Sequence, residues 1–183
     1  MVFSAPSRRV RVCAVRAVLL IAFAAGATRT TTANPAARPQ VRSTDAVIRA
    51  LMTDAASHSR TFRRLVQTIE ETNGIVYVES GACGHGVRAC LVMSVTPAGG
   101  YRILRILIDR RQKPRDLMAS IGHELRHAIE VLENRSLVDT AGFYLFYAQG
   151  SVENGRPFET RAAIEAGFAV RNEIESSFNA ARE

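Results

Sequence analysis

Several residue types are scarce in this chain of 183 residues. One lysine, Lys113, stands beside 23 arginines, a bias that fits genomic codon usage better than chemistry. Cysteine is limited to three positions and histidine to four. There is no internal repeat, no low-complexity tract and, after residue 28, no apolar run long enough to span a membrane. Six prolines and twelve glycines are an ordinary count, and 47% apolar with 22% charged residues excludes a disordered chain. Such a mix allows one globular domain of typical size, two at most.

The excess of base is local. Arg8, Arg9, Arg11 and Arg16 lie in the first 27 residues, where no acid occurs; without them 20 basic residues face 17 acidic ones, a net charge of +3 against +7 for the whole chain. The basic isoelectric point is therefore no argument for nucleic acid as a partner. Residues 17–28 carry no charge and end near the small residues Ala25, Gly26 and Ala27. A basic stretch, an apolar stretch and a small-residue site in that order read as a secretory signal peptide over residues 1–27. Twelve helical residues rise about 18 Å against a hydrocarbon core of roughly 30 Å, so a retained membrane anchor is the weaker alternative. Arg8 and Arg9 hint at a twin-arginine signal, but Arg11 stands where such a signal normally has an apolar residue. Residues 28–42, with Asn34-Pro35 and Arg38-Pro39, read as a flexible linker before a single domain over 43–183. The expectation is an exported protein, periplasmic or secreted, with no stable membrane span after cleavage.

Cysteine usage fits export. Cys13 would leave with the signal, and Cys83 and Cys90 remain, seven residues apart in a glycine-rich stretch. In an oxidising compartment that spacing across a chain reversal predicts a disulfide. Two alternatives stand: a pair of buried thiols, or metal ligands together with His85, for which a structural site would need a fourth ligand.

The periodicity predicts a helix opened by Ser43 or Thr44 and running through Ala56, then a second capped by Ser57 or Ser59 and ending at Asn73-Gly74. Strands are predicted at 75–79, 87–95 and 101–109, the last two joined as a hairpin by Pro-Ala-Gly-Gly at 97–100. Helices follow at about 114–133, 137–149 and, opened by Pro157, through roughly Ser177. The order of two helices, three strands and three helices implies an α+β domain with a short, mostly antiparallel sheet on one side.

One short motif carries chemistry: His-Glu-Leu-Arg-His at 123–127. On a helix, His123 and His127 lie about 40° apart and project from one face, where two imidazoles can grip one Zn²⁺. Glu124 lies beside that position, placed to take a proton from metal-bound water. Ile121, Leu125, Ala128, Ile129 and Leu132 fall between about 140° and 240° from His123 and form the core-facing stripe. The alternative is a surface helix with two solvated histidines and an Arg126–Glu130 ion pair.

Strands followed by such a helix resemble the zincin metallopeptidases, and Gly-His-Glu-Leu-Arg-His-Ala at 122–128 is similar to the active-site helix of the gluzincin branch. Arg126 departs from the uncharged residue that zincins usually keep there. The resemblance implies a third ligand, a glutamate on a later helix. Glu159 is the choice, because Ala162, Ala163 and Ala166 follow it on a face small enough to approach the histidine helix. Glu133 has metzincin spacing without the helix-breaking glycine, where Glu130 stands instead; Asp139 suits an aspartate-ligand zincin in a poorly matching context. Glu165 points to another face and Glu173 lies too far along the helix. A glutamate favoured by the helix dipole is the plain alternative for Glu159.

The resulting expectation is a zinc-dependent hydrolase of peptide or protein substrates. His123, His127 and Glu159 would hold the metal, and Glu124 would accept a proton from water and pass it to the leaving amine. Residues 101–109 are read as a sheet edge able to hold an extended peptide, and Tyr144 or Tyr147 as an oxyanion donor or, more simply, core. The second reading is an exported, non-catalytic binding domain on the same scaffold.

Overall fold

The computed structural model describes residues 38–84, 86–150 and 158–180; the expected signal segment and most of the expected linker lie outside the described residues. In chain order the elements are β1 (Val41–Arg42), α1 (Ala46–His58), α2 (Arg60–Glu70), β2 (Gly74–Ser80), β3 (Ala89–Leu91), β4 (Thr96–Ala98), β5 (Tyr101–Ile108), α3 (Pro114–Glu133), α4 (Thr140–Gly150) and α5 (Arg161–Ala180). This is an α+β domain. The expected linker ends early, because Val41 and Arg42 pair with Val76 and Tyr77 as a first parallel strand.

The sheet is mixed, in the order β1-β2-β5-β3, with β4 also on β5. β2 and β5 run parallel in continuous register from Gly74 opposite Arg102 to Ser80 opposite Ile108. The expectation of a mostly antiparallel sheet is corrected here. The chain leaves β2, crosses the end of β5, and runs back along the far edge of β5 in two segments, β3 and β4. It then turns at Gly99 and Gly100 (φ 55° and 84°), the paired positive angles of a tight hairpin, and returns as β5 between the two. One predicted strand at 87–95 is thus two short ones. The break is held by the Val95 N–H donating to the Val138 carbonyl (3.2 Å) and the Thr140 hydroxyl donating to that of Met93 (3.1 Å).

Period-two alternation puts Val76 and Val78 of β2 and Leu104, Ile106 and Ile108 of β5 on one buried face. The opposite face carries the Arg105–Glu79 pair (2.7 Å) and Arg42 over the Tyr77 ring. The helices cover the first face. α1 is capped by Asp45, whose carboxylate accepts from Val47 (2.8 Å), rather than by Ser43 or Thr44. Ser59 caps α2 at Phe62 (2.9 Å), and α2 ends at Glu70. Pro114 opens α3 at its first turn, where a missing N–H costs nothing. α5 starts at Arg161, with the Thr160 hydroxyl accepting from Ala163 (3.1 Å); Pro157 lies outside the described residues. No helix among the described residues is long and apolar enough to cross a membrane.

α3 is the central helix. Its predicted stripe of Ile121, Leu125, Ala128, Ile129 and Leu132 is buried in the core, and Glu124, His127 and Glu130 are buried as well. Its C-terminus is closed by Arg102 of β5, whose guanidinium donates to the carbonyls of Val131 (2.9 Å), Leu132 (3.2 Å), Asn134 (3.3 Å) and Leu137 (2.7 Å). Helix-end carbonyls lack intrahelical partners, and one planar fork reaches those of Val131, Leu132 and the cap residue Asn134 together with that of Leu137 beyond the helix. Arg102→Met is expected to destabilise the protein by about 2–3 kcal/mol, read as a lower denaturant midpoint with an unchanged m-value.

Candidate metal centre

The two histidines of α3 meet as expected, with ring centroids 4.8 Å apart. The chain enters α5 through Phe158, which takes a left-handed φ of 66°. The next residue, Glu159, reaches back to α3 and sets its Oε2 3.1 Å from His123 Nε2 and 3.8 Å from His127 Nε2. The ligand atoms of His123, His127 and Glu159 lie within 4.8 Å of one another, and among the described residues this is the one group of three or more such side chains able to hold a metal ion. Glu159 Oε2 is buried and aligned with neither imidazole for a good hydrogen bond. A buried carboxylate oxygen facing two imidazole Nε2 atoms in this way fits a shared cation.

Close approach of α5 makes this possible. A Cβ on Gly167 would stand 3.2 Å from His123 Cβ, and one on Gly122 would stand 2.8 Å from a methyl of Val170. Ala163 and Ala166 are buried on the same side, as their small size predicts.

The electrostatics follow from burial and proximity. Burial pushes the Glu159 carboxyl up, but the imidazoles of His123 and His127 outweigh it and hold it at about 2. Burial pushes His127 down, but its hydrogen bond to Glu130 and the nearby carboxylates of Glu159 and Glu124 raise it to about 9. Glu124 is buried beside them, and burial raises its pKa although both imidazoles and the Leu91 amide pull the other way. Burial, with the nearby carboxylates, raises the Tyr147 hydroxyl above its ordinary range, and the ring meets that of His127 edge-on at 5.2 Å.

One buried residue of the site was not among the expected site residues. Glu130, given a role only in the surface-helix alternative as the partner of Arg126, is 8% exposed; its carboxylate accepts from His127 Nδ1 (2.9 Å) and from the Thr160 hydroxyl (2.7 Å). Arg126 lies 3.5 Å from Glu130 and 4.0 Å from Glu133. The reading of a surface helix with solvated histidines is overturned by the burial of His127 and Glu130.

The other candidates lie elsewhere. Glu133 is exposed at the end of α3. Asp139 accepts from Gly142 (2.9 Å) at the start of α4, Glu165 pairs with Arg161, and Glu173 accepts from Ser59 and Thr61 at the start of α2. Tyr144 is exposed and meets the Phe158 ring at a tilt of 59°, whereas Tyr147 is buried against the site. Cys83 and Cys90 form the disulfide, which removes both as metal ligands; His85 lies outside the described residues.

Two recesses flank the trio and share Val87, Ala89, Glu124 and Glu159. One, of about 280 Å³, contains His123, Ser120 and Phe168. The other, of about 230 Å³, contains His127, Leu91, Met93, Phe143, Tyr147 and the disulfide. β3 forms their common wall. Bonds from Asp109 N–H to the Arg88 carbonyl and from Val92 N–H to the Arg105 carbonyl direct residues 88, 90 and 92 toward β5. The backbone groups of Ala89 and Leu91 therefore point to the open side, toward the cleft. β5, the expected edge, is paired on both sides and has no free edge to offer.

In chelator, His127 contributes stability that is fully present below its unfolded value of 6.5 and is lost as pH rises through about 9. The melting temperature of metal-free protein is therefore expected to fall across that window, and replacing His127 by Gln should flatten the fall. Against this geometry no protein-family model, no curated protein and no solved structure matches the chain.

Proposed function

We propose that this protein is an exported, zinc-dependent hydrolase of the metallopeptidase kind, acting on peptide bonds. The observation that carries the reading is the convergence of His123, His127 and Glu159 beside a buried Glu124 whose pKa is raised. Two imidazole nitrogens and one carboxylate suit Zn²⁺ with a position left open. When bound, the ion acidifies water and polarises a carbonyl. Glu124 accepts the proton of the attacking water and returns it to the leaving amine; its burial raises its basicity. The Leu91 amide orients the Glu124 carboxylate. The outward backbone groups of Ala89 offer an extended peptide strand-like pairing across both recesses. Export rests on the basic and apolar order of residues 7–27 and is supported by the disulfide.

Glu124→Gln is expected to lower peptide turnover by about 10²–10⁴-fold while the purified variant keeps its zinc. Zinc uptake by the natural chain with no turnover of any peptide mixture would identify a binding module instead.

Glu159→Ala is expected to weaken zinc strongly in competition against a fluorescent chelator, while Glu133→Ala, Asp139→Ala and Glu165→Ala keep wild-type affinity. Zinc retained by Glu159→Ala and lost by Asp139→Ala would replace Glu159 as third ligand.

A further inference from the structure

Glu130 lies on the same helix as both histidines, and each oxygen of its carboxylate is committed to a different element. Oε2 accepts from His127 Nδ1 at 2.9 Å, and Oε1 accepts from the Thr160 hydroxyl at 2.7 Å. Thr160 follows Glu159 directly, and its oxygen also accepts from the Ala163 N–H at 3.1 Å at the start of α5. That second bond occupies a lone pair and turns the hydroxyl proton toward Glu130. One buried carboxylate thus joins the ligand at the middle of α3 to the residue beside the ligand that precedes α5.

We propose that Glu130 and Thr160 form a clasp that sets the metal group, with Glu130 as a positioning residue acting on His127 and Glu159 together. The proposal rests on the reading of His123, His127 and Glu159 as a metal site. An imidazole that offers Nε2 to a cation carries its proton on Nδ1, and a carboxylate acceptor at Nδ1 selects that tautomer and fixes the ring plane. The same carboxylate, through Thr160, holds the backbone at Glu159 against α3. Glu159 needs this because Phe158 before it has an unfavourable left-handed backbone angle, which surrounding contacts must maintain.

The chemistry predicts which substitutions matter. Glu130→Gln keeps the shape but replaces the anion by one neutral carbonyl acceptor, so His127 Nδ1 and the Thr160 hydroxyl no longer both donate to a charged carboxylate and the charge-assisted bonds are lost. Thr160→Val removes the hydroxyl at nearly constant volume, whereas Thr160→Ser retains both of its bonds. Full-length protein would be titrated with Zn²⁺ against a fluorescent chelator, well below each variant's melting temperature. Glu130→Gln and Thr160→Val are each expected to weaken Zn²⁺ by about 10–100-fold, with Thr160→Ser and the exposed control Glu133→Gln at wild-type affinity. Because both act through one carboxylate, Thr160→Val should cost less in the Glu130→Gln background than in the wild-type chain. A merely structural role would lower the melting temperature and leave these affinities unchanged. Wild-type affinity in Glu130→Gln, or equal affinities for Thr160→Val and Thr160→Ser, overturns the clasp and leaves the metal site standing. If Glu130→Gln does not fold, the Val and Ser variants at 160 decide alone. Failure of the wild-type chain to bind Zn²⁺ overturns both readings.

Discussion

The approach of α5 to α3 is the constraint on which the rest of the site depends. Gly122 and Gly167 leave no room for a Cβ without displacing Val170 or crowding His123, and Ala163 and Ala166 extend the same narrow seam. Helices carrying ordinary side chains at their contact pack about 8–10 Å apart, and small residues permit a closer axis separation. The spacing lets the residue before α5, Glu159, reach an imidazole on α3 at 3.1 Å. Close packing therefore does chemical service: the seam that buries Val170 and Ile174 also sets the distance between ligands.

A second constraint is electrical. Glu124, Glu130 and His127 are buried, with His123 and Glu159 half-buried beside them, and in such a space isolated charges are costly. The arrangement answers the cost by pairing. Glu130 and Glu159 are held ionised by imidazoles, His127 is held protonated by them, and Glu124, with the Leu91 amide as its backbone donor, stays high. The result separates two carboxylates that hold charge from one that is suited to exchanging a proton. A divalent cation among them would take over the compensation that the protonated imidazole supplies.

The sheet contributes by its connectivity. Because β5 is inserted between β2 and the returning β3–β4 edge, the open side of β3 lies over the cleft, and the disulfide closes the loop by which the chain crosses the end of β5. The Arg102 fork then ties the sheet to the C-terminal end of the histidine helix.

How much of this was legible before the fold is uneven, for physical reasons. Periodicity alone placed α3, its core stripe and the shared face of His123 and His127, because these depend only on the geometry of a single helix. Cysteine spacing foretold the disulfide, since a short loop must reverse to close. Glu159 was legible through small residues at helical spacing together with a family resemblance, not from pattern alone. Glu130 had a signal, lying about 20° from His123 on the wheel, but a wheel does not say whether another helix covers that face. The cap of α1 went to Asp45, and the edge strand to β3 rather than β5, because capping and strand order are settled by neighbours. Local sequence by itself thus determined which residues share a face and which bond closes a loop. Tertiary structure alone decided which faces meet, and so which carboxylates are buried beside the imidazoles, because burial and strand order arise from contacts between segments far apart in the chain.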